Sequence, residues 1–168
     1  MTHARDNFIA WLKNAHAMEE QAITMLTAQS RRIESYPDLK ARLEAHLAET
    51  QGQAERLKGL LDRLSGGAST LKHVAAKLAA TAQGVGGMLT SDEVVKGSMS
   101  SYAFEHMEIA TYRVLIAAAD ELGETEAKAV FEDILQQEIA MADWLGSNLD
   151  DITRVFLMRD ERDLQAKR

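Results

Sequence analysis

A chain of 168 residues and 18.6 kDa is long enough for one domain with a sizeable core and too short for two compact ones. Its 46% hydrophobic and 27% charged content excludes a disordered chain, a formal charge of -7 makes nucleic acid a poor partner, and the lack of cysteine removes disulfides, thiolate metal sites and cysteine nucleophiles. No apolar run approaches the roughly 18 to 20 residues of a membrane span and residues 1–13 lack a signal-peptide core, so a cytoplasmic protein without membrane association is expected.

One proline, Pro37, and an abundance of Ala, Glu, Leu, Gln and Met favour long helices, while β-branched and aromatic residues are too sparse for a large sheet. Over residues 4–35, Phe8, Leu12, Ala15, Ala22, Ile23, Leu26 and Ile33 recur every three or four positions, the period of an amphipathic helix. Tyr36-Pro37 ends it, because the residue before proline avoids the helical region while proline suits the first turn of a new helix. Leu39, Leu43, Leu47, Ala54, Leu57, Leu61 and Leu64 then predict a second helix over 37–65, antiparallel to the first and closed by Ser65-Gly66-Gly67.

Residues 66–90 read as a long crossover holding a short helix near 70–82 and the stretch Gly84-Val85-Gly86-Gly87. Thr90-Ser91-Asp92-Glu93 has the form of a capping box and predicts a third helix over 91–122, stopped before Gly123. A fourth helix is expected over 124–147, followed after Asn148 by a short C-terminal amphipathic helix within 149–168 that carries Ile152, Val155, Phe156 and Leu157. The fold class is therefore all-α: a four-helix bundle of two antiparallel hairpins joined by the crossover.

Several acids fall on apolar faces. Glu19 has Leu12, Ala15, Ala22, Ile23 and Leu26 as its helical neighbours, whereas Glu20 points outward. Glu138 sits among Phe131, Ile134, Leu135, Met141, Ala142 and Leu145, and Glu105 and Glu108 lie one turn apart in line with Ser101 and Tyr112. Glu49 flanks the Leu43-Leu47-Ala54 stripe, with His46 and Gln53 on the same edge. A single Glu on such a face commonly snorkels to water. Acids near mid-length on all four helices instead predict a shared interior site, and the Glu19-to-Glu49 spacing equals that from Glu108 to Glu138, as two similar hairpins would give.

Desolvating several carboxylates together costs about several kcal/mol each, and divalent cations remove that penalty and the mutual repulsion. Carboxylates with one imidazole and no thiolate suit iron or manganese, so the expected cofactor is two Fe ions, or Mn, bridged by glutamates. The expected ligands are Glu19, Glu49, Glu105, Glu108 and Glu138, with His46 as nitrogen donor and His16 in reserve. Tyr112, one turn beyond Glu108, is the candidate catalytic residue, able to hydrogen-bond a ligand or pass an electron; the simpler reading is a core tyrosine with a satisfied hydroxyl. The methionines, Met18, Met25, Met88, Met99, Met107 and Met141 among them, are expected to fill gaps in the bundle.

The stretches Ala17-Met18-Glu19, His46-Leu47-Ala48-Glu49-Thr50-Gln51-Gly52-Gln53, Glu105-His106-Met107-Glu108-Ile109-Ala110-Thr111-Tyr112 and Glu138 with Ala140-Met141-Ala142-Asp143-Trp144-Leu145 resemble the ferritin-like YciE/YciF family of bacterial proteins. The resemblance covers almost the whole chain. It implies a ferritin-like bundle, dimeric, associated with stress responses and with ferroxidase-type chemistry that consumes O2 or H2O2. Well-studied ferritin-like di-iron sites place a Glu-x-x-His pair on helices 2 and 4. Here no histidine stands three or four residues after Glu49 or Glu138, so two functions are expected: a metal-dependent oxidoreductase, or a stress-related binding or structural bundle in which metal is partial or absent.

Overall fold

A computed structural model describes residues 3–65, 92–162 and 164–166. Four helices carry the chain: α1 (His3–Arg32), α2 (Pro37–Leu64), α3 (Glu93–Glu121) and α4 (Thr125–Glu161), with no strand among the described residues. The expected crossover and its short helix lie outside those residues. No described helix is long and apolar enough to cross a membrane.

The hairpins pair α1 with α2 and α3 with α4, and they pack through α1 against α3 and α2 against α4. α1 stops three residues short of the predicted end. Tyr36, held extended at φ -129° before Pro37, is the N-cap of α2, and the chain turns through residues 33–36 while Ile33 and Tyr36 themselves are buried. At the other hairpin, Gly123 takes the left-handed conformation at φ 70° and the Glu124 amide bonds back to the Ala119 carbonyl, which ends α3 as the Leu122-Gly123 pair suggested. The Glu124 carboxylate receives Arg5 at 2.8 Å and Arg63 at 3.5 Å, tying the start of α1 and the end of α2 to this turn.

The predicted break after residue 147 and the separate C-terminal helix are corrected: α4 runs unbroken for 37 residues, about 55 Å at 1.5 Å per residue. Asn148 does not cap an end, because its amide donates to the Trp144 carbonyl one turn back at 2.7 Å. Burial supplies the reason for continuation. Ile152 and Phe156 pack into a cluster with Ile33, Tyr36 and Leu39, so ending the helix at Asn148 would strip these contacts. Residues beyond α4 fold back, with the Tyr36 hydroxyl donating to the Ala166 carbonyl and the Arg159 guanidinium to the Gln165 carbonyl and Ser35. Gly146 admits the Tyr102 ring, which would stand 3.3 Å from any added Cβ.

Two apolar clusters fill the bundle. One gathers Phe8, Leu12, Leu57, Leu61, Tyr112, Leu115, Phe131 and Ile134, and the other Leu26, Leu39, Leu43, Val94, Met141, Leu145 and Ile152. Met18 and Met141 are buried as expected, but Met99 and Met107 are about half exposed, Met107 at the edge of a surface groove that it lines with Trp11 and Asn14 of α1. Between the two clusters the seam turns polar, with Glu19, His46, Thr50, Gln53, Glu105, Glu108 and Glu138 all buried. This layer holds the site.

Candidate metal centre

Each helix brings its polar group into the layer by the same 3-4 spacing that brings its apolar groups into the core. On α1 the buried positions Ala15, Glu19 and Ala22 follow one another along a single stripe. On α2 the seam reads Leu39, Leu43, His46, Thr50, Gln53, Leu57, and on α3 Ser98, Ser101, Glu105, Glu108, Tyr112, Leu115. On α4 Glu138 stands between Ile134 and Met141.

His46, Glu105, Glu108 and Glu138 converge: one donor atom from each lies within 4.8 Å of the others, and all four residues are buried. His46 Nε2 is 3.2 Å from Glu105 Oε2 and 3.4 Å from Glu138 Oε2. Glu19 stands outside this group of four, its Oε1 accepting a hydrogen bond from the Tyr112 hydroxyl. Gln53 Nε2 donates to Glu138 Oε1 and, at 2.8 Å, to Gln137 Oε1.

Both oxygens of Glu108 and Oε2 of Glu19 are buried without a hydrogen-bond partner among the described residues, and Oε2 of Glu105 and of Glu138 have only the long ion-pair contact with His46 Nε2. Buried acceptors left this way cost about 1–3 kcal/mol each, and more when charged, so their clustering calls for a group that accepts lone pairs. A divalent cation fits that requirement.

The electrostatics point the same way. Burial, reinforced by Glu138, pushes the Glu19 carboxyl up to about 8, and burial raises Glu105 to about 7. Glu108 is driven well above the usual carboxylate range by burial and then by Glu19, Glu138 and Glu105. Burial alone would lower the His46 imidazole, but its contacts with Glu105 and Glu138 outweigh that and push it up to about 10. Burial and the adjacent Glu19 raise the Tyr112 phenol well above its ordinary value, so its hydroxyl keeps the proton that it donates. In the metal-free protein the layer is thus a nest of acids partly neutralised by protons and by one imidazolium.

The predicted residues divide accordingly. Glu105, Glu108, Glu138 and His46 come together, and Glu19 joins them across the layer through its electrostatic coupling to Glu138, His46 and Glu105. Glu49 does not converge. Its side chain is 35% exposed and stands on the outer side of His46, where Oε2 accepts from the ring Nδ1 at 2.8 Å and from Arg42 Nη1 at 3.3 Å. His16 also stays out, half-buried and 3.9 Å from Glu20. Sequence reasoning left Gln53 unassigned; its place two turns beyond His46 on the Leu43-to-Leu57 seam was the available signal.

Comparison with known proteins decides the family. Residues 3–158 match the model of a domain of unknown function, DUF892, and the chain is 31% identical over 144 residues to protein YciF of Escherichia coli K12, covering 83% of this chain and 86% of that protein. The chain belongs to the DUF892, or YciF, family. Within it, the crystal structure of the Xanthomonas campestris protein XCC3681 superposes with a TM-score of 0.79 at 43% identity, over 95% of this chain and 99% of that one. The crystal structure of the E. coli stress protein YciF gives a TM-score of 0.74 at 23% identity over 90% and 97%, which supports the four-helix architecture of the YciF family.

Proposed function

We propose that this YciF-family protein holds two iron or manganese ions in its polar layer and works as a ferroxidase or peroxide-handling oxidoreductase in a bacterial stress response. The observation that carries the reading is the set of buried carboxylate oxygens without hydrogen-bond partners, gathered around His46 from separate helices. The stress context rests on the family relative described as the E. coli stress protein YciF. A cytoplasmic location and a homodimer belong to the same proposal, the dimer supported by Trp11, Met107 and Val114 exposed along α1 and α3.

Glu105, Glu108, Glu138 and His46 would hold the ions, with Glu19 as a further carboxylate of the same layer. Redox-active ions bound there supply the electrons that reduce O2 or H2O2. The chain's own residues do the rest. Tyr112 fixes the Glu19 carboxylate through its hydroxyl, Gln53 fixes Glu138, and the protonated His46 neutralises Glu105 and Glu138 in the metal-free layer. Apolar clusters on both sides keep the layer out of bulk water.

Anaerobic Fe(II) titration followed by an oxygen electrode tests the reading, with Mn(II) in parallel. Binding of about two ions per chain with consumption of O2 or H2O2 is the expected result; failure to bind either metal would refute it. A second reading, a binding or structural bundle without catalysis, is favoured by one observation: among the described residues, His46 is the only imidazole in the cluster. Metal bound without consumption of either oxidant would establish that reading instead.

A further inference from the structure

His46 uses both ring nitrogens. Nε2 faces Glu105 and Glu138, while Nδ1 lies 2.8 Å from Glu49 Oε2 on the opposite side. The ring is buried, and its backbone carbonyl accepts the Thr50 hydroxyl at 2.8 Å. Glu49 is one turn further along the same helix, so a single carboxylate oxygen meets the ring edge without any partner helix having to move. Arg42, one turn before His46 and largely buried, reaches the same Glu49 oxygen from the other side at 3.3 Å.

A neutral imidazole that gives its Nε2 lone pair to a cation must carry its proton on Nδ1, and an acceptor placed there fixes both the tautomer and the ring plane. Resting on the metal reading above, we infer that Glu49 is a positioning residue: it binds no ion itself but holds His46 with Nδ1 protonated and Nε2 aimed into the layer, and Arg42 holds Glu49 in turn. This arrangement assigns α2 a role unlike that of the other three helices. It contributes a nitrogen donor braced from outside, whereas α1, α3 and α4 contribute carboxylates directly.

Calorimetric titration of the full chain with Mn(II) tests the inference, using Glu49→Ala, Glu49→Gln and the wild type. Outer partners of ligating histidines typically set metal affinity by about 10- to 100-fold. The expected result for Glu49→Ala is a loss of that size with the number of ions unchanged. Glu49→Gln should stay within a few-fold of wild type, since its amide carbonyl can accept the same Nδ1 proton. Nitrogen-15 spectra of the Zn(II)-loaded wild type should show His46 protonated at Nδ1 and bound through Nε2, a readout that does not depend on any variant folding. Unchanged affinity in Glu49→Ala, loss of an ion in Glu49→Gln, or metal on Nδ1 would each overturn the positioning role. Failure of the wild type to bind metal would remove the metal reading and this inference together, so the two failures are told apart by the wild-type titration.

Discussion

Replacing Glu108 by Gln should stabilise the metal-free protein and abolish its response to metal. Both Glu108 oxygens are buried without partners, and the carboxyl keeps its proton well above its ordinary value of 4.5. At pH 7 the unfolded chain has released that proton, so the fold must either hold it or bury an unpaired carboxylate, and buried acceptors without partners cost about 1–3 kcal/mol. Gln has nearly the same shape and carries no such cost. For a domain of this size about 1–3 kcal/mol corresponds to a rise in Tm of about 2–12 °C at pH 7, and a smaller one at pH 5. Thermal melts of wild type and Glu108→Gln at pH 5 and pH 7, with and without Mn(II), provide the assay. Mn(II) should raise the Tm of the wild type and leave the variant where it was. A variant less stable than wild type at pH 7 without metal would refute the reasoning, because Glu108 would then be an ionised partner in a structural network.

Urea denaturation of the metal-free wild type should reveal stability falling as pH rises from about 5 to 9. Glu19, raised to about 8, and Glu105, raised to about 7, hold protons that the unfolded chain has lost, and His46, raised to about 10, keeps a proton that the unfolded imidazole gives up above about 6.5, so all three groups act in the same direction. Tyr112→Phe should leave the number of bound ions unchanged, lower apo stability by about 1–2 kcal/mol through the unpaired Glu19 oxygen, and slow Fe(II) oxidation followed by absorbance. Ile152→Ala should cost about 2–4 kcal/mol and reduce helical circular dichroism, since the distal turns of α4 depend on the cluster that Ile152 enters.

The apolar period was enough to locate α1 and α2 and to pick out Glu19 and Glu138, because each interrupts a stripe of otherwise apolar residues, whereas α3 was bounded by the Thr90-Ser91-Asp92-Glu93 run and Gly123, and Glu105 and Glu108 stood out by their one-turn spacing in line with Ser101 and Tyr112. On α2 the same reasoning misjudged the face. Leu47 strengthened a stripe through Leu43 and Ala54, yet Leu47 is only half-buried, and the seam passes through His46, Thr50 and Gln53, three polar residues that hydrophobic periodicity discounts. That rotation moves Glu49 from the interior to the rim. On α4 the Gly146-Ser147-Asn148 run has the local chemistry of a helix end, but long-range packing of Ile152 and Phe156 overrides it. Neither the bond from Gln53 to Glu138 nor the pairing of Tyr36 with Ala166 leaves a trace in spacing, since each joins residues far apart in the chain.

The polar layer at mid-bundle touches all four rods, so a cation seated there would act as a cross-brace. Fraying at either end of the bundle would leave its ligands in place, and the ion could escape only when the two hairpins part. Amide exchange around Glu19, His46, Glu108 and Glu138 should therefore slow together on loading, and metal release should track the rate of that parting motion.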